Sequence, residues 1–192
     1  MTNAIYLTTT EPHAGKSIIA LGLMNLLVAR TEKIAYFKPI ISTDRPEQDS
    51  HLFTVAAHFK LATAHNDMFV FTRNQLVKLL NEGKETFIID SIINKFKQLQ
   101  ESHDFVVVEG TDFTSITNEE FDINISIAEN LSIPVAIIVR ADRKSIPEMV
   151  DTAVSTVKSF TDKGVQVLTF IANRVEEVNG AALQEKLKRS LP

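Results

Sequence analysis

The sequence predicts an α/β fold: a doubly wound, mostly parallel sheet with helices on both faces. Three observations predict it. Short runs such as "FVVVE" and "VAIIV" are almost wholly apolar and rich in Val, Ile and Phe. Strands buried on both faces read this way, whereas a sheet with one wet face alternates apolar and polar residues. The runs are separated by segments of helical spacing, and strand–helix alternation builds a parallel sheet through crossover connections. The chain of 192 residues, 44% hydrophobic and 23% charged, is long enough for one domain whose core needs no disulfide or metal staple.

Strands are expected at Ala4–Thr8, Lys33–Lys38, Phe105–Glu109, Pro134–Arg140 and Val165–Ala172. A first helix, Lys16–Ala29, carries Ile19, Leu23, Leu26 and Leu27 on one face. "NQLVKLLNEG" and "TFIIDSIINKFKQLQ" make a helical middle region between about Thr72 and Glu101. "SIPEMVDTAVSTVKSF" opens with Ser145 and has Glu148 three residues on, a capping box with Pro147 in the first turn. Gly164 ends that helix, and Gly180–Arg189 reads as a last amphipathic helix. The least regular stretches, Pro39–Ser50 and Gly110–Phe121, both follow strands.

Composition removes several function classes. Cysteine is absent, so there are no disulfides and no thiolate zinc sites, and a cytoplasmic home is expected. A net charge of −4, no Lys/Arg cluster, two Tyr and no Trp give no nucleic-acid footprint. The opening "MTNAIYLTTTEP" lacks the positive region of a secretory leader. No apolar run nears the roughly 20 residues of a membrane helix, so neither nucleic acid nor membrane is an expected partner.

Ligands of doubly wound folds bind at the carboxyl ends of the strands, so candidate chemistry is sought there. After the first strand comes Thr10-Glu11-Pro12-His13-Ala14-Gly15-Lys16-Ser17. It matches the phosphate-loop pattern G-x-x-x-x-G-K-[ST] except that Thr10 replaces the leading Gly. A helix N-terminus offers free N–H groups and a positive dipole end to a phosphate. Gly15 allows close backbone approach, Lys16 supplies a charge to β- and γ-phosphates, and Ser17 offers a hydroxyl to Mg2+. Thr10, Glu11, His13 and Ala14 complete the candidate loop. The bland alternative is a strand–turn–helix with Lys16 on the surface.

Other strand ends add candidates. Lys38, in "YFKPI", can reach a phosphoryl group from the side opposite Lys16, or be a solvated lysine. "FVVVEGTD" ends an apolar strand in Glu109, the arrangement in which a carboxylate orders Mg2+ directly or through water. Asp49 is a second candidate carboxylate. In "FIANRVEEV", Asn173 can bond a base edge and Arg174 can stack beside it, or Asn173 is an ordinary turn residue. The five histidines show no metal-ligand spacing; His51 and His58, two turns apart, read as a polar helix face.

Taken in order, "TTTEPHAGKS", "FKPI", "VVVEG" and "ANRV" resemble the dethiobiotin synthetase-like branch of the P-loop NTPase fold. The resemblance covers nearly the whole chain. That family's loop has one more residue before GK[ST], so its leading Gly corresponds to Thr9. The resemblance implies ATP and Mg2+ as cofactors, paired lysines at Lys16 and Lys38, Mg2+ carboxylates at Asp49 and Glu109, and an adenine contact at Asn173. Dethiobiotin synthetases follow the strand-end Glu with a glycine-rich stretch that lines the diamine site. Here it is "EGTDFTS", with Gly110 alone. In this respect, and in "IYLTTTEPHAGKSIIALGLMNLL" and "IAYFKPI", the chain is similar to the N-terminal domain of long-form bacterial phosphate acetyltransferases.

That second resemblance implies one P-loop domain over residues 1–192, the N-terminal part of a longer multidomain enzyme, an expectation that the ending "LQEKLKRSLP" fits. It implies a regulatory role through a nucleotide effector, contacts with the other domains of the parent chain, and a homo-oligomer. The acetyl-transfer residues would lie elsewhere, so no residue here is expected to be catalytic for that step. Two alternatives remain. One is a stand-alone ATP-dependent carboxylase/cyclo-ligase acting on a diamine, in which Lys16, Lys38 and Mg2+ would take up transition-state charge. The other is a domain that binds no nucleotide and serves as an assembly surface, motivated by Thr in place of Gly, since a β-branched residue resists positive φ.

Overall fold

The computed structural model describes residues 3–31, 33–43, 49–111 and 118–191. Its elements run β1 (Ala4–Thr9), α1 (Lys16–Val28), β2 (Ile34–Phe37), β3 (Ile40–Ile41), α2 (Ser50–His58), β4 (Phe71–Thr72) and α3 (Arg73–Asn81). There follow α4 (Glu85–Ser102), β5 (Phe105–Glu109), α5 (Asn118–Leu131), β6 (Val135–Arg140), α6 (Ile146–Thr161), β7 (Val167–Asn173) and α7 (Glu177–Ser190).

Five strands form one sheet in the order β2-β5-β1-β6-β7, and every pairing is parallel. The apolar runs are the inner strands. β1 and β2 are buried along their whole length, as are Val106–Glu109 of β5 and Val135–Val139 of β6. One face packs Tyr6, Val106, Val108 and Val135 against Ile88, Ile92 and Phe96 of α4 and Ile125 of α5. The other packs Leu7, Tyr36, Val107 and Ile138 against Ala20 and Met24 of α1 and Leu52 and Val55 of α2. Helices therefore cover both faces, as the doubly wound reading requires. β7 lies at the edge, and its Leu168 is 58% exposed.

The capping signals hold at the atomic level, but the apolar face expected of α1 is corrected: Ala20 and Met24 are its buried apolar residues, while Leu26 is 66% exposed. The Ser145 hydroxyl accepts from the Glu148 N–H, and the Glu148 carboxylate accepts from the Ser145 N–H at 2.7 Å, closing the capping box on α6. Gly164, at φ +75°, follows that helix. A second capping box, Thr72 with Gln75, starts α3. Three features depart from expectation. β3 and β4 pair in parallel over two residues each, too short for any periodic signal. α2 is capped by Asp49, at the end of a stretch without regular spacing. α5 starts within the second irregular stretch; its Ile123, Ile125 and Ile127 repeat every second residue, a strand period, yet burial against the sheet makes it helical.

The turn after β5 is locked to α5. The buried Asn124 side chain accepts from Tyr6 Oη at 2.7 Å and from the Thr111 N–H at 2.9 Å, and donates to the Thr111 carbonyl at 3.3 Å. Burial, then the negative charge of Glu109, pushes the Tyr6 hydroxyl's pKa up, so it stays a neutral donor. Gly110 fills the space that remains: a Cβ there would lie 2.6 Å from Asn124 Oδ1 and 3.0 Å from the Leu7 carbonyl oxygen. Gly110→Ala is expected to lower stability by about 1–3 kcal/mol, the range for overpacking a tight core; urea denaturation monitored by circular dichroism measures it.

Candidate functional site

Sheet topology brings the carboxyl ends of β1, β2, β5 and β7 to one rim, and the loop from Thr10 to Gly15 lies across it. Gly15 caps α1 in the left-handed region, at φ +91°. No other residue fits: a Cβ would sit 2.2 Å from Asn173 Nδ2. His13 is also left-handed, at φ +59°. Asn173, the last residue of β7, donates from Nδ2 to the Ala14 carbonyl at 2.8 Å, and its Oδ1 accepts from the Arg174 N–H. The loop is thus stapled to the sheet from the far side of β6. The loop, with Thr9, Lys16, Ser17 and Ile18, lines a cavity of about 410 Å³ whose wall is completed by Ser42 and Arg174. That size lies in the range of small-molecule sites.

The lysine behind the loop has a definite partner. Lys16, 3% exposed, donates from Nζ to Glu109 Oε1 at 2.8 Å and to the Gly110 carbonyl at 2.6 Å. Glu109 is fully buried, and its second oxygen is held as well. Oε2 accepts from Tyr36 Oη at 2.5 Å and lies 3.3 Å from His51 Nε2, which is 3.1 Å from the same tyrosine hydroxyl. Burial pushes the Glu109 carboxyl up. Lys16, the His51 bond and Lys38 outweigh it and hold the group well below the usual carboxylate range. Glu109 is therefore a carboxylate at neutral pH.

A second buried pair stands beside the first. Lys38 Nζ is 3.3 Å from Asp49 Oδ2, while Asp49 Oδ1 accepts from the Leu52 N–H at 2.9 Å and caps α2. Glu11, on the cavity wall, is tied towards β6: its Oε1 accepts from Lys144 Nζ at 2.6 Å and from the Arg140 N–H at 3.1 Å. That pairing neutralises a carboxylate that would otherwise repel a phosphate. Arg174, at φ +60°, extends past the Asn173 staple with a guanidinium nitrogen 3.9 Å from Asp142.

The structure thus brings together Glu11, His13, Ala14, Gly15, Lys16, Ser17 and Arg174 around one cavity, with Glu109 beneath Lys16. Lys38 and Asp49 form their own pair, and Thr10 opens the loop. Asn173 spends its amide on the loop backbone. Three participants escaped the sequence: Tyr36, His51 and Lys144. His51 lies against Glu109, while His58 meets Phe59 edge to face. The available signal was proximity, since Tyr36 is two residues before Lys38 and His51 two after Asp49. Asp112 to Ser115 of "EGTDFTS" lie outside the described residues.

The donor set suits Mg2+. Ser17, Asp49 and Glu109 offer hard oxygens, and Mg2+ takes one or two carboxylates plus phosphate oxygens and water rather than an all-protein cage. Among the described residues no group of three or more His, Cys, Asp or Glu could hold a metal by itself. Nor, among them, is any helix long and apolar enough to cross a membrane.

Comparison with known proteins adds identity to this geometry. The chain is 35% identical over 192 residues to the phosphate acetyltransferase of Nitratidesulfovibrio vulgaris (strain Hildenborough), an alignment that takes in 98% of this chain and 27% of that protein. It is 23% identical to the ATP-dependent dethiobiotin synthetase BioD of Bacillus subtilis subsp. natto, covering 90% of this chain and 74% of that one. The fold is similar to that of apo McdA from Cyanthece, with a TM-score of 0.59 at 14% identity over 100% of this chain and 82% of the other. The chain spans about a quarter of the length of the phosphate acetyltransferases it matches. A family described as AAA domain matches residues 3–191, and with its phosphate loop, strand-end glutamate and all-parallel sheet the chain belongs to that family.

Proposed function

We propose that this chain is a nucleotide-binding regulatory domain of a phosphate acetyltransferase, cytoplasmic and part of a homo-oligomer, that senses ATP or another nucleotide and does not itself transfer acetyl. The observation that carries the reading is the loop with Gly15 at its left-handed cap, Lys16 at the helix start and Glu109 beneath it. Similarity to phosphate acetyltransferases over 98% of the chain supports the parent enzyme.

The residues divide the work of binding. N–H groups of Ala14 to Ser17, at the N-terminus of α1, meet the phosphates with the dipole behind them. Lys16 supplies the point charge once it leaves Glu109, and Lys38 approaches from the β2 side. Ser17, Glu109 and Asp49 would hold Mg2+, which when bound neutralises phosphate charge. Asn173 keeps the loop in shape, and Arg174, His13 and Ser42 face the nucleoside end of the cavity. Thr9 and Thr10 replace the flexible glycine of other loops, so the loop front is shaped by Glu11 and Lys144 instead.

Lys16→Ala removes a charged contact worth about 1.5–3 kcal/mol, so ATP affinity falls by about tenfold to a hundredfold in calorimetric titration. Unchanged affinity overturns the nucleotide reading. A second test addresses acetyl transfer. The chain alone, given acetyl-CoA and phosphate, is expected to yield no acetyl phosphate; product above the blank overturns the regulatory assignment.

A second reading has its own support: the dethiobiotin synthetase relatives, with which the chain aligns over 74% of their length. Under it the chain is an ATP-dependent carboxylase/cyclo-ligase, and Lys16 and Lys38 would flank the transferred phosphoryl group. Release of ADP that depends on an added diamine distinguishes it. Under the leading reading, diamine leaves the rate of ADP release unchanged.

A further inference from the structure

Glu109 uses its two oxygens differently. Oε2 meets two partners, Tyr36 Oη at 2.5 Å and His51 Nε2 at 3.3 Å. Those partners also touch each other, at 3.1 Å, with their rings edge to face. Tyr36 donates to Glu109, and the His51 ring nitrogen lies within reach of both. Each corner of this triangle stands on a different element: β2, the first turn of α2, and the end of β5. Tyr36 has no exposed surface, so the carboxylate cannot rotate about its last bond without breaking a short, charge-assisted bond. Oε1, by contrast, faces Lys16, whose ammonium also holds the Gly110 carbonyl.

Resting on the nucleotide reading above, we propose that Tyr36 and His51 are positioning residues that pin Glu109 Oε2, so that Oε1 alone passes between Lys16 and a divalent cation. A divalent cation binding Oε1 competes there with the Lys16 ammonium, because like charges at adjoining positions repel more strongly where the dielectric is low. Lys16 therefore yields Oε1 when a divalent cation arrives. Its stem starts at the first residue of α1, on the wall of the cavity, so the released ammonium can turn towards a phosphate bound there. Cation and nucleotide then reinforce each other through a single oxygen atom, and the reinforcement is reciprocal. Without the cation, a nucleotide has to draw Lys16 away from a buried carboxylate and binds weakly.

The test measures ATP affinity with and without Mg2+, by calorimetry, for the wild type, Tyr36→Phe and Glu109→Gln, with Mn2+ binding to the nucleotide-free protein followed by electron paramagnetic resonance. Partners behind a metal ligand set affinity by about tenfold to a hundredfold. Tyr36→Phe is therefore expected to cut the Mg2+ enhancement, and Mn2+ affinity, by about tenfold, with metal-free ATP affinity within twofold of wild type. A merely structural role would lower both affinities together. Glu109→Gln is expected to abolish the Mg2+ enhancement while raising metal-free ATP affinity several-fold, because Lys16 loses its anionic partner. Should Glu109→Gln not fold, the Tyr36→Phe arm decides alone. A wild-type Mg2+ enhancement in Tyr36→Phe overturns the positioning role. Unchanged or reduced metal-free affinity in folded Glu109→Gln overturns the exchange. A wild type that binds ATP under neither condition overturns the nucleotide reading instead, and its Mn2+ titration still tests the hold of Tyr36 on Glu109; absence of both overturns both.

Discussion

A carboxylate with no exposed surface sits at the end of a central strand, and the rest of the site is arranged around its charge. Burying an ion costs several kcal/mol unless partners compensate it. Glu109 is compensated by Lys16 from α1, by Tyr36 from β2 and by His51 from α2. One charge thus ties the phosphate loop's helix to the sheet and brings α2 over the same rim. The neighbouring Lys38–Asp49 pair repeats the device, with Asp49 also capping α2, so both ends of that connection are fixed by ionised groups.

The loop itself is held from outside the cavity. Asn173 reaches it from β7 and Glu11 reaches out to the β6–α6 turn. Both contacts cross more than 120 residues of sequence, and both use polar side chains that a freely flexible loop would leave in water. Such bracing matters because threonines stand where glycine would supply flexibility. The backbone is nevertheless left-handed at His13 and Gly15.

On the other face of the sheet the same strand end is locked by different means. Asn124, Tyr6 and Gly110 fix the peptide that follows Glu109 by hydrogen bonds and by close packing. The strand-end glutamate is therefore positioned from both faces, through its side chain on one and its backbone on the other.

The sequence by itself determined the sheet, the phosphate loop and the strand-end lysine and glutamate, because these rest on local rules. Apolar runs mark buried strands, Gly15 marks a close backbone approach, and Ser145 with Glu148 marks a helix start. Tertiary structure alone decided what each polar group touches. Tyr36 reads as one more apolar strand residue and His51 as one more surface histidine until β2, β5 and α2 are stacked. Lys144 and Glu11 are 133 residues apart, and no periodicity relates them. α5 follows the same logic: its strand-like isoleucines become helical because the sheet offers that segment a face to bury. Pairings of this kind depend on where the sheet order places each strand end, and a one-dimensional pattern does not carry that information.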